Sequence, residues 1–281
     1  MIKLLKLIRV ELIKIYSKPR TYIGFITLGI LIPLIMVLIR KFGFNLPQYY
    51  LKSLAQNFQM EGNLVNGYLI SYYLMSILWV HFPFFVILVA GDSFAGEDSH
   101  GTFRILLTRP VSRIQVLTAK YLATFIYTAS IVLFLGIISL GSGSLLLGSG
   151  DLFVFDKGIL ILSQNEALLR FAIAYGLAIF VQIIVASLAI LLSTISENPI
   201  GPIIGTYAVI IVSIILSMLK IEALEAIQPY LFTSYFDVFF APFADPIPWQ
   251  EILASVLALA KFGGLFFILS VIRFIRKDIC S

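Results

Sequence analysis

Phe171-Ala-Ile-Ala-Tyr-Gly-Leu-Ala-Ile-Phe-Val-Gln182-Ile-Ile-Val-Ala-Ser-Leu-Ala-Ile-Leu-Leu-Ser193 contains no charged side chain. A hydrocarbon core of about 30 Å needs about 20 apolar residues at ~1.5 Å each. This stretch is therefore long enough to cross a bilayer as a helix, whose backbone polar groups are satisfied within the segment itself. Five other windows share its character: Tyr22–Ile39, Tyr68–Ala90, Tyr121–Leu140 (an extension to Leu147 stays open), Ile200–Leu219 and Ile252–Ile272. Composition agrees, with 60% hydrophobic and 12% charged residues and a mean hydropathy of +1.01, against about 45–50% and about 25% in soluble domains. The expected fold is all-α, an integral membrane bundle of six transmembrane helices.

An even number of spans puts both termini on one side, and the distribution of Lys and Arg identifies it. Lys3, Lys6, Arg9, Lys14, Lys18 and Arg20 precede the first span; Arg104, Arg109, Arg113 and Lys120 lie between the second and third; Arg273, Arg276 and Lys277 follow the sixth. The opposite loops hold only Arg40, Lys41, Lys52, Lys157, Arg170 and Lys220. Both termini are expected in the cytoplasm, and the net charge of +5 reflects topology rather than affinity for nucleic acid. One cysteine, Cys280, cannot pair within the chain, which excludes a disulfide-stapled secreted domain.

Residues 1–20 do not fit a secretory signal, since the basic stretch is long, the apolar run after it exceeds a signal core, and no small-x-small cleavage site follows. At 100° per residue Leu4, Leu5, Ile8, Leu12 and Ile15 share an uncharged sector, with Lys3, Lys6, Arg9, Lys14 and Lys18 on the remainder. This pattern predicts an amphipathic helix lying in the membrane interface, in contact with lipid. Between Arg40 and Gly67 a short helix is expected around Gln48–Gln59. Gly141-Ser-Gly-Ser and Gly148-Ser-Gly150 read as a flexible exit from the third span. Residues 222–249 are rich in aromatics but broken by Pro229, Pro242, Pro246 and Pro248, which predicts short interfacial or re-entrant helices on the outer side before the last span. The chain is thus one transmembrane domain over 1–281, with spans one to five inside 22–219 and span six at 252–272.

No G-x-x-x-x-G-K-[ST] loop occurs to cradle a nucleotide phosphate, His81 and His100 form no H-E-x-x-H pair, and there is no G-x-S-x-G elbow. An enzyme is not expected; transport, or support of transport, is the natural task of such a bundle. The most informative polar segment runs Glu97-Asp-Ser-His-Gly101-Thr102-Phe-Arg-Ile-Leu106-Leu107-Thr-Arg109-Pro110-Val111-Ser112-Arg113, with Lys120 beyond it. Thr102 can cap a short helix over Phe103–Leu107, Pro110 stops it, and Ser112 can cap a second helix that enters the membrane. The result would be a firm cytoplasmic elbow at 97–113.

The run E-x-x-x-G-T-x-x-x-L-L-x-x-P-V-S-R followed by a lysine resembles the signature of permease subunits of type-2 ABC exporters, the family with six spans, an N-terminal interfacial helix and a broken outer segment before the last span. That resemblance implies that Glu97, Gly101, Thr102, Leu106, Leu107, Pro110, Ser112 and Arg113 form or brace a coupling helix docking on a separate ATP-binding subunit. It further implies two copies of that subunit, which bind ATP and Mg while this chain binds no cofactor, and a second permease chain, identical or paralogous. The setting would be the cytoplasmic (inner) membrane of a bacterium or archaeon. The rival expectation is an ATP-independent carrier, channel or membrane scaffold component.

Three polar residues inside the windows are pathway candidates. Lys261, near the middle of the last span, either lines a pathway or snorkels; His81 and Gln182 either bond between helices or meet a substrate. Gly201 and Gly205, spaced small-x-x-x-small, suit a close helix interface.

Overall fold

The structure, a computed structural model, describes residues 2–43, 65–99, 101, 111–155, 159–219 and 228–277. Nine α-helices are described: α1 (Ile2–Tyr16), α2 (Thr21–Phe42), α3 (Gly67–Leu78), α4 (Phe82–Ala90), α5 (Asp92–Ser99), α6 (Arg113–Leu147), α7 (Gln164–Ile195), α8 (Ile200–Met218) and α9 (Trp249–Arg276). An antiparallel hairpin, β1 (Leu152–Phe155) with β2 (Ile159–Leu162), joins α6 to α7, and two 3₁₀ segments, Gln228–Tyr230 and Phe232–Phe243, precede α9. Five helices are long and apolar enough to cross a membrane, and the bent pair running from α3 into α4 and α5 makes a sixth if counted as one crossing. The molecule is thus an all-α membrane-type bundle with one small hairpin. The short helix expected around Gln48–Gln59 lies outside the described residues.

The apolar window of α7 is 72% buried, against 11% for that of α9, so α7 is the central post, packed by α4, α5, α6, α8 and α9, while α1 and α2 lie mainly against α6. The window Tyr68–Ala90 is not one straight helix; it breaks at residues 79–81 and turns by 55°. Pro83 explains the break, because its ring excludes the carbonyl four residues earlier and it has no N–H to give. Nor is 141–144 a flexible exit. α6 runs on to Leu147 and stops at Gly148, whose φ is +84°. What keeps these residues helical is a crossing with α3, where Gly67 and Gly143 lie so close that a Cβ added to Gly67 would fall 2.2 Å from the Gly143 carbonyl carbon. The hairpin is a further departure from the sequence reading; Leu152, Val154 and Leu162 turn inward, so local apolar character is no guide here to strand or helix.

The segment 228–248 is held down in two ways. Phe243 packs edge-on to Phe171 and Tyr72, with ring centroids 5.0 Å apart in both pairs, and Trp79 meets Phe239 at 3.8 Å. From α7, Arg170 Nη1 donates to the Pro242 carbonyl at 3.0 Å and to that of Ala244, while its Nη2 sits 3.3 Å from Asp245 Oδ1. Sequence alone assigns Arg170 only to the loop charge count, yet it is 7% exposed and clamps this end of the bundle. Arg170→Met should cost about 2–3 kcal/mol, since charge-assisted bonds contribute ~1.5–3 kcal/mol and the carbonyls lose their donor. Thermal unfolding in detergent, with limited proteolysis over 228–248, would register the loss.

Candidate functional site

The polar chemistry of the bundle gathers where α1, α5 and the start of α6 meet. α1 contributes Glu11 and Lys14, α5 contributes Asp92 and Glu97, and α6 contributes Lys120. Lys120 is 2% exposed, and its three ammonium protons have three acceptors: Glu11 Oε2 at 2.9 Å, Glu97 Oε1 at 2.8 Å and the Ser93 carbonyl at 2.8 Å. The ammonium also lies 5.3 Å from the centre of the Phe94 ring. Lys14 bridges the same two acids from the other side, 2.7 Å from Glu11 Oε1 and 2.7 Å from Glu97 Oε1. Beside them Lys18 and Arg20 both reach Asp92 Oδ2 at 2.5 Å. These groups surround a cavity of about 30 Å³ that Thr124 and Val89 close from the bundle side.

Burial works against the Glu97 carboxylate, but the ammonium groups of Lys120 and Lys14 outweigh it and hold its pKa below the ordinary value. Glu97 lies beyond Ala90, where the apolar run of this crossing ends. Burial likewise opposes the Lys14 ammonium, and Glu11 with Glu97 overcomes it and raises its pKa. Glu97 and Lys14 are thus each held in the charged form across neutral pH.

The root of the expected elbow is fixed from three directions. Ser193, at the end of α7, accepts from the Phe94 and Ala95 amides at 3.0 and 2.9 Å and donates to the Gly91 carbonyl at 2.6 Å. Lys277, just past α9, pairs with Asp98 at 2.6 Å. Gly101 closes α5 with φ +66°, a left-handed conformation that glycine adopts without strain. On the far side, Ser112 caps α6 through a reciprocal box with Gln115. Arg113 Nη1 donates to the carbonyls of Phe274, Ile275 and Lys277 at 3.1, 2.9 and 2.7 Å, so a cation caps the C-terminal end of α9.

Of the eight residues singled out for the elbow, Glu97 is turned inward into the ionic cluster, Gly101, Ser112 and Arg113 flank the segment, and Thr102, Leu106, Leu107 and Pro110 lie outside the described residues. On α1, Leu5 is exposed, Leu4, Ile8 and Leu12 are half-buried, and Ile15 packs on the core. The pathway candidates do not come together. His81 is exposed at the bend between α3 and α4, and Lys261 is exposed on α9. Gln182 is fully buried beside Trp79 and Tyr175, with no hydrogen-bond partner for either amide atom. Gly201 and Gly205 make only ordinary contacts within the chain, the nearest neighbour of an added Cβ being 3.5 Å away at each. Among the described residues no cluster of His, Cys, Asp and Glu is arranged to hold a metal ion.

Glu11, Lys14 and Lys120 escape sequence reading as a unit because helical periodicity cannot pair residues 83 or 109 positions apart. The usable signal is Glu11 itself, the one acid in an otherwise basic helix.

A family model described as "Protein of unknown function (DUF2705)" matches residues 25–280. This chain belongs to that family. The match takes in most of α2 and every helix from α3 to α9, and with them the Asp92, Glu97 and Lys120 side of the cluster, whereas Glu11, Lys14, Lys18 and Arg20 precede it. No curated protein matches the chain.

Proposed function

We propose that this DUF2705 chain is the membrane-spanning permease subunit of an ATP-driven ABC exporter, coupling ATP hydrolysis in a separate subunit to outward or lateral movement of a substrate. In this proposal the bent α3–α4 pair counts as one of six crossings with α5 beyond its inner end, residues 228–248 form an outer re-entrant layer, and both termini lie in the cytoplasm. ATP and Mg reside in two copies of the ATP-binding subunit, and a second permease chain completes the assembly.

One observation carries most weight. The Glu97–Arg113 segment, whose motif resembles the exporter signature, is anchored at both described ends: Glu97 by Lys14 and Lys120, Arg113 by the last carbonyls of α9. A segment held this way transmits a push to α1, α6 and α9 together, as a rigid-body transition requires. A free loop would absorb it.

The test is a mild-detergent purification of the tagged chain from its native membrane, followed by partner identification and an ATPase assay. A stoichiometric Walker-motif partner is expected, and Leu106→Asp should reduce its retention roughly thirtyfold, as for an interface hot spot of about 2 kcal/mol, while the variant still inserts. Recovery of a bundle with no ATPase, or full retention in Leu106→Asp, would defeat the proposal and put the carrier, channel or scaffold forward.

A further inference from the structure

Lys261 occupies an unusual place on α9. Leu253, Leu257, Leu265, Ile268 and Ile272 form an exposed stripe along the helix, and Lys261 falls in register within it, four residues from Leu257 and four from Leu265. The helix faces outward here, so the ammonium does not look into the bundle.

Its depth is equally telling. Trp249 opens α9 and Arg273 lies in its last turn, an aromatic and a basic anchor of the kind that sit at bilayer interfaces. Lys261 is twelve residues from each, about 18 Å along the axis at ~1.5 Å per residue. That is more than half of a hydrocarbon core of about 30 Å, so a lysine stem would have to leave the middle of the core to reach either headgroup layer. Other charges on the long helices, such as Lys120, Arg170 and Glu251, lie near helix ends. A cation facing hydrocarbon at this depth is costly, and such residues pair.

We infer that the Lys261 face of α9 is the docking surface for a membrane helix of another protein, which presents an Asp or Glu at mid-bilayer depth to the ammonium. A second copy of this chain does not fit. A two-fold contact through this stripe would set Lys261 against Lys261, and among the described residues no long helix carries a carboxylate in its middle third. The inference requires only that α9 crosses the bilayer, and it stands or falls separately from ATP coupling.

The experiment places a photo-crosslinking side chain at Leu265 in the full-length protein in its native membrane, and compares the parent with Lys261→Met and Lys261→Glu. Because Lys261 is exposed, both variants should fold. The expected result is one polypeptide adduct mapping to an apolar helix with an internal Asp or Glu, reduced roughly three- to thirtyfold by Lys261→Met, the range for an interhelical polar contact in lipid. In the Lys261→Glu background the adduct should return when that carboxylate is changed to lysine. Adducts to this chain itself, to lipid alone, or to a helix without a carboxylate would overturn the inference, as would undiminished crosslinking in Lys261→Met.

Discussion

Lys120→Met is expected to lower the stability of the detergent-solubilised protein by about 3–5 kcal/mol, the range for removing one partner from a buried ion pair. Methionine keeps the length and apolar bulk of the stem but removes all three donors. Glu11 and Glu97, 7% and 9% exposed, would then share Lys14 alone, and the Ser93 carbonyl would lose the ammonium that it accepts from. α1 should loosen first, since Glu11 is its buried ionic tie to α6, leaving Tyr16 on Ser130 and Tyr127 as the remaining anchor there. Thermal unfolding and proteolysis after residue 16 would both report it. Adding Glu11→Gln to Lys120→Met should recover some of the loss, because one of the stranded charges is gone. A single variant melting within about 1 kcal/mol of the parent would show that the cluster does not fasten α1. The pH dependence has a defined sign. The folded-state pKa of Glu97 lies below its ordinary value of 4.5, so its contribution is present above about 4.5 and is lost as the pH falls through the lower, folded value.

Gly67→Val should be the most disruptive substitution of an uncharged residue. Even the first carbon of the new side chain would sit 2.2 Å from the Gly143 carbonyl carbon and 2.4 Å from its oxygen. Those atoms belong to a helix backbone and cannot rotate aside, so α3 and α6 must separate. The expected cost reaches or passes the upper end of the ~1–3 kcal/mol typical of overpacking. Gly141→Ala supplies the control. It lies two residues from Gly143 on the same helix, has nothing within 4 Å of the added carbon, and should be neutral or stabilising by up to about 1 kcal/mol through helix propensity. If both variants behave alike, the close crossing of α3 and α6 is not a structural requirement.

These two sites also show what the sequence could and could not reveal. The apolar windows are legible because the period and length of a membrane helix are local properties, and α2, α7, α8 and α9 follow them to within a few residues at most of their ends. The Ser112 cap is legible for the same reason: its partner Gln115 is three positions away. Gly143 misleads because a glycine signals local freedom in isolation, whereas here its lack of a side chain serves a contact with Gly67, which is remote in sequence. Glu97 stands out for its motif, but its partners Lys14 and Lys120 come from two other helices, and only the packing of α1 on α6 makes them neighbours. Arg170 gives no signal beyond its charge; the carbonyls it grips belong to a segment more than 70 positions later. Polar contacts of this kind arise from tertiary arrangement and leave no periodic trace.

α6 has a mechanical consequence. At 35 residues it is about 52 Å long, well beyond the thickness of a hydrocarbon core, and it is gripped near both ends, by the acids around Lys120 and by Gly67 at Gly143. Those two grips are about 34 Å apart along the axis at ~1.5 Å per residue. A pivot of about 5° at the Lys120 end would carry the Gly143 end sideways by about 3 Å over that length, enough to separate backbones that now touch. The helix is in effect a lever with its fulcrum among charged side chains and its working end at a glycine contact, so a small tilt at the Lys120 end moves the Gly143 end with no helix needing to unwind.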